Sequence, residues 1–272
     1  MTPPLTILSQ SDADELARTE PVVVMSRGHS GTRVLSWALA ALGIHMGTLR
    51  SEPAGDCQDR RFTGAIKKVA DSRIGTCSTR APGARETRRF RRALWRYLRG
   101  VPRDGRRWGW KFPETYLIGG VVDTVVPRAR YLHLVRDGRD VAFKSHLTDD
   151  EGRRLGRTIL GHLGLLGRPR HLQAAGSWAY QVQRFRALRP GLEPRVHRLT
   201  FEQLCTRPVE TMEAVAGFLG LPMTDECRRY LAEQVRPEKV GQHRGEDPAK
   251  LRAVEALIGE TLAAEGYPPA AR

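Results

Sequence analysis

Apolar positions along the chain follow two rhythms. Val22, Val23, Val24 and Met25 form a short, continuous, largely β-branched run, the pattern of a strand buried on both faces. Small and polar residues fill positions 26–32, and Val34, Leu35, Ala38, Leu39 and Leu42 then recur at helical spacing as far as Gly43, a helix stop. The arrangement repeats further on: Arg130–Val135 (RYLHLV) is a second buried run, followed by Arg136, Asp137, Gly138, Arg139 and Asp140 and a helical Val141-Ala142-Phe143. Residues 196–199 suit a third strand, and 108–111 a short one ahead of Pro113. Helical spacing marks residues 86–98, where Phe90, Leu94, Tyr97 and Leu98 share one face and arginines occupy the other. It also marks 177–188, Pro208–Leu219 (proline in its first turn, Gly220 at its end) and roughly 249–264.

Strands that alternate with helices imply an α/β fold whose central, mostly parallel sheet is covered on both faces. The 272 residues suffice for one sizeable core. The expected organisation is an irregular lead-in over 1–20, with a helical turn around 12–17, and a single domain over 21–272. Residues 48–62 and 72–83 read as loops, 66–70 as helical, and 148–170, rich in Gly and Arg around an apolar patch at 159–166, as a mobile cover.

Composition changes this picture only modestly. A hydrophobic content of 40% argues against disorder, and a net charge of +15 suggests an anionic partner, although arginines scattered over a solvated surface account for it as well. Cys57, Cys77, Cys205 and Cys227 form no CxxC pair, which fits a reducing compartment. The start MTPPLTILSQSDADEL has neither the basic residues nor the apolar core of a signal peptide, and no apolar run reaches membrane-spanning length. A soluble, cytoplasmic protein without membrane insertion is expected.

A strand, a glycine-containing turn and a helix N-terminus aim unpaired N–H groups at one spot, and so make an anion site. One such turn alone more often serves geometry. Here there are two, each with arginine, and in an open parallel sheet such turns gather at the carboxyl ends of the strands. Together they could bracket one ligand with two phosphate-like groups. A P-loop kinase or NTPase is the first rival, but it needs GxxxxGK[ST], and residues 28–32 have neither the length nor the lysine. A nucleic-acid binder is suggested by charge alone, without interleaved aromatics or a recognisable module, so nucleic acid is not an expected partner.

The blocks SRGHSGTR (26–33), WGWKFPE (108–114), HLVRDGRDVAFKS (133–145), RLTFEQLCTRP (198–208), VAGFLGLP (215–222), and VGQHRGEDPAKL (240–251) leading to EGY (265–267) occur in that order. They resemble, in order, blocks of the bacterial sulfotransferases that use 3′-phosphoadenosine 5′-phosphosulfate (PAPS), over about residues 21–267. The resemblance implies a P-loop-like, three-layer α/β/α fold and transfer of a sulfuryl group to a hydroxyl or amine of a small-molecule or carbohydrate acceptor. Adenosine 3′,5′-bisphosphate would be the product, and no metal would be needed.

Carried onto this chain, the resemblance puts Arg27, Gly28, His29, Ser30, Gly31, Thr32 and Arg33 around the 5′-phosphosulfate, and His29 where many relatives have lysine. Arg136 would hold the 3′-phosphate. The family serine eight residues later is replaced by Lys144, with Ser145 next, and either could serve. Arg244 and Lys239 in the polar tail would close over the same phosphate or the adenine. Lys111 would contact the sulfonate, and the base would be one of Asp59, Glu52 and Asp56, with His146 and Glu114 as outsiders. Trp37 and Trp178 read as core packing. Arginine in 48–62 and 148–170 hints at an acidic acceptor.

Overall fold

The structure, a computed structural model, describes residues 9–47, 59–102 and 104–268. Four parallel strands, β1 (Val22–Met25), β2 (Gly109–Trp110), β3 (Arg130–Val135) and β4 (Val196–Thr200), lie in the order β2-β1-β3-β4. Strand alternation divides the core in two. Val23, Met25, Tyr131 and Val135 face one layer of helices, while Val22, Val24, Leu132 and Leu134 face the other. The expected three-layer α/β/α arrangement is therefore the one observed.

On the first face lie α3 (Arg60–Arg73), α4 (Ala84–Leu98), α5 (Gly119–Val125), the long α8 (Arg170–Leu192) and α12 (Pro248–Ala264). Phe62, Phe90, Tyr97, Trp110 and Phe112 form an aromatic cluster there, with ring centroids 4.9–6.4 Å apart. On the second face lie α2 (Thr32–Ala41), α9 (Phe201–Thr206), α10 (Pro208–Leu219) and α11 (Asp225–Gln234). Trp178 is buried as expected; Trp37 is half-buried, stacked against Tyr230 at 6.4 Å.

Several segments form helices that the apolar pattern did not mark in full. The described part of the lead-in contains α1 (Gln10–Arg18), whose N-terminus is closed by a capping box: Ser9 and Asp12 each accept the other's backbone N–H. The segment expected to be a mobile cover contains α7 (Arg154–His162), which buries Leu155, Ile159 and Leu160, while Thr148 and Asp149 ahead of it are also buried. Residues 66–70 belong to the fourteen-residue α3. Among the described residues, Cys77, Cys205 and Cys227 are free thiols, and no helix is long and apolar enough to cross a membrane.

Candidate functional site

The register Val22↔Arg130 through Met25↔His133 brings β1 and β3 out of the sheet side by side. Their two turns meet there: Arg136 Nη1 donates to the carbonyl oxygen of His29 at 3.0 Å. The geometry that the two arginine-bearing turns required is thus in place.

The first turn is shaped by close approach. His29 and Gly31 both adopt left-handed backbone, with φ of 66° and 82°. A Cβ on Gly31 would lie 2.5 Å from the Phe201 ring, and one on Gly28 2.5 Å from the His146 ring. Both glycines therefore let the turn nest between its neighbours. Gly31 caps α2 without a side-chain hydrogen bond, which leaves the first-turn N–H groups of α2 to an external acceptor. Ser30 and Thr32 are buried beside it, and Arg33 is exposed on the helix.

Arg27 departs from the expectation that it brings charge to a ligand. Its guanidinium is 1% exposed and turns inward, paired with Asp149 and donating to the Gly28 carbonyl at 3.0 Å. Burial lowers the Arg27 pKa, and Asp149 opposes that shift. Asp149 also accepts the backbone N–H of His146 at 2.7 Å, so the ion pair ties the first turn to the segment 146–149.

His29 has a similar commitment. Its Nε2 donates to the Ser145 carbonyl at 2.8 Å, which fixes the proton on that nitrogen in the neutral ring. Burial and the nearby Arg27 charge lower its pKa. The proton that a leaving-group donor would offer is therefore already engaged.

Arg136 is the centre of the second turn. Asp140, one helical turn later in the short α6 (Gly138–Ala142), accepts from its Nη2 at 2.9 Å. The Lys239 carbonyl accepts from the same nitrogen at 2.6 Å, and the guanidinium lies 4.1 Å over the Phe201 ring. Asp140 in turn accepts from the backbone N–H groups of Gly241 and His243 and from His243 Nδ1 at 2.7 Å. Burial raises the Asp140 pKa, but the hydrogen bonds from His243 and Arg136 outweigh it and hold the carboxyl well below its usual range. Lys144 Nζ donates to Gln242 Oε1 at 2.9 Å, whereas the Ser145 side chain is exposed. The tail thus folds onto this turn through Lys239, Gly241, Gln242 and His243. Arg244 is exposed, its guanidinium against Gly241.

Lys111 is buried just beyond β2, and with Lys67 it adds positive charge around His146. Burial, Arg27, His29, Lys67 and Lys111 together depress the His146 pKa from 6.5 to about 2. Thr148 occupies its Nδ1 side, with Oγ1 at 2.9 Å. Of the proposed bases, Asp59 is the N-cap of α3, where one oxygen accepts from the N–H groups of Arg61 and Phe62 at 2.9 and 2.8 Å. Glu114 is buried, 3.5 Å from Lys67 Nζ. Glu52 and Asp56 lie outside the described residues.

The sequence reading overlooked Asp140, Asp149, Phe201 and Gln242. Only Asp140 had a local signal, its i,i+4 spacing from Arg136. The others come from distant parts of the chain.

As a donor set, this surface suits an anionic ligand. It offers an uncapped helix N-terminus with Arg136 and Lys144 within one rim, and Lys111 is buried near His146.

Comparisons with known proteins agree with the architecture. Residues 21–225 match the model of the sulfotransferase family. A search of curated proteins returned no match. Among solved structures, sulfotransferase STF9 from Mycobacterium avium is 15% identical over 97% of this chain and 81% of its own, with a TM-score of 0.58. STF1 from Mycobacterium tuberculosis H37Rv is also 15% identical, over 92% of this chain and 79% of its own, with a TM-score of 0.56. Mouse sulfotransferase SULT7A1, solved in complex with PAP, is 13% identical over 95% of this chain and 92% of its own, with a TM-score of 0.53.

Proposed function

The chain belongs to the sulfotransferase family, and from that premise we propose that it moves a sulfuryl group from PAPS to a hydroxyl or amine of a small-molecule or carbohydrate acceptor. The observation that carries this reading is the bond from Arg136 to the His29 carbonyl, because it joins the two anion-seeking turns into one rim. In this reading the N–H groups of residues 30–32 and the Ser30 and Thr32 hydroxyls hold the 5′-phosphosulfate. Arg136, through its remaining Nη1 N–H and its charge, and Lys144, or Ser145 by its exposed hydroxyl, hold the 3′-phosphate; Asp140 and Phe201 fix the direction of the guanidinium. PAPS supplies an activated sulfuryl group and a bisphosphate leaving group. Lys111 faces the charge on the moving group, and a carboxylate or histidine takes the acceptor proton as the acceptor oxygen or nitrogen bonds to sulfur. Transfer of this kind depends on in-line placement and charge stabilisation. The Nε2–H of His29 orients the turn rather than protonating the leaving group.

Titration calorimetry with adenosine 3′,5′-bisphosphate in metal-free buffer tests the donor site. Binding is expected, with Arg136→Ala weakening it by about 2–3 kcal/mol, on the order of 100-fold. Absence of heat from the bisphosphate, or stabilisation by Mg-ATP alone, would sink the assignment in favour of a kinase-type enzyme. Transfer of labelled sulfate to an acceptor panel then tests the reaction, with Asp59→Asn, Glu114→Gln and His146→Gln identifying the base.

A further inference from the structure

Two adjoining cavities, of about 780 and 970 Å³, open between α3, α4 and the start of α7, and share Lys68, Arg85 and Arg89. Along the α4 wall stand Arg85, Arg88, Arg89, Arg92 and Arg96, spaced so that all lie on one face. At 1.5 Å per residue this row is about 16 Å long. Among the described residues none of the five makes an ion pair.

Some surface arginines elsewhere are paired and, among the described residues, others such as Arg99 and Arg186 are not, so it is the alignment of the five along one cleft that sets the row apart. Arg106, Arg154, Arg195 and Arg228 each meet a carboxylate at 2.7–2.8 Å. The acid on α4 itself, Glu86, is turned away to Ser72, Arg73 and the N-cap at Gly83. Like charges three and four residues apart work against a helix, so folding alone gives no reason for the row.

The inner end of the cleft is lined by Lys67 and Leu147, next to Glu114 and His146 and hence to the Lys111 neighbourhood. An acceptor lying along the row would present one end where transfer is proposed. Among the described residues the walls offer no exposed aromatic ring for a base to stack on, because Phe62 is 1% exposed.

We propose that the α3–α4 cleft is an extended acceptor site for an acidic oligosaccharide, whose successive anionic groups pair with the α4 arginines. This rests on the sulfotransferase reading above and specifies its substrate class.

Calorimetry on the full chain at low salt, with a galacturonate hexamer, maltohexaose and a thymidylate hexamer as probes, tests it. The hexagalacturonate should bind, the neutral sugar should not, and the oligonucleotide should bind more weakly than the acidic sugar. Combined Arg88→Glu and Arg92→Glu should weaken hexagalacturonate at least roughly tenfold, with the melting temperature not lowered and bisphosphate affinity unchanged; the Gln pair should fall between. Equal binding of maltohexaose, tighter binding of the oligonucleotide, or hexagalacturonate affinity indifferent to the charge reversal overturns the proposal. If the acidic sugar binds and the reversal weakens it while the bisphosphate does not bind, the cleft stands as an acidic-sugar site and the donor assignment fails.

Discussion

The two arginine-rich regions of this molecule use the same side chain in opposite ways. At the strand ends three cations have a designated partner: Arg27 has Asp149, Arg136 has Asp140 and two carbonyls, and Lys144 has Gln242. Along α4 five arginines stand without an ion pair among the described residues. A buried cation must be paired to be tolerated at all, and the pairing fixes its direction before any ligand arrives. A solvated one keeps its freedom and contributes mainly a field that is strong at low salt and fades with ionic strength. The first arrangement suits an invariant ligand of fixed geometry, the second an extended one with repeated charge.

The largest effect that would test this contrast is on the buried side. Asp149→Ala strands Arg27 in the interior and should cost about 3–5 kcal/mol in urea unfolding; a loss under 1 kcal/mol would show that the pair fixes nothing. Gly31→Ala comes next. It puts a methyl 2.5 Å from the Phe201 ring at a φ of 82°, and should cost roughly 2 kcal/mol and weaken bisphosphate binding in the same preparation.

Acid should act on the same region. The folded His146 pKa, about 2, lies below its unfolded 6.5, so this histidine favours the folded state fully above pH 6.5, and the advantage is lost as pH falls toward 2. Between pH 7 and 5 the wild type should lose about 2 kcal/mol more than His146→Gln; parallel stability curves for the two proteins would contradict this. Smallest per residue is the response of the α4 row. Neutralising Arg96 alone should change acceptor affinity only two- to three-fold or so, and raising salt should erase the difference.

The same contrast explains what could be read from the chain. β3 and α10 were bounded from their apolar runs and stop residues, because burial on both faces and a proline-to-glycine frame leave local marks. The meeting of two turns followed from parallel topology. The direction of Arg27 had no such mark: whether it faces a ligand or the interior is decided by Asp149, 122 residues away in sequence. The donation of His29 to Ser145 likewise joins residues 116 apart. The α7 helix was obscured by its glycines and arginines, although Leu155, Ile159 and Leu160 supply a buried face once α8 is there to receive it.

Arg136 contacts His29, Asp140 and Lys239, three points spread over most of the polypeptide. During synthesis its surroundings are therefore finished after the sheet: a nascent chain can have all four described strands while the wall built by residues 239–243 is still inside the ribosome. The setting of Arg136 is completed only once the chain has run roughly forty residues past β4, not when the strand that carries it pairs.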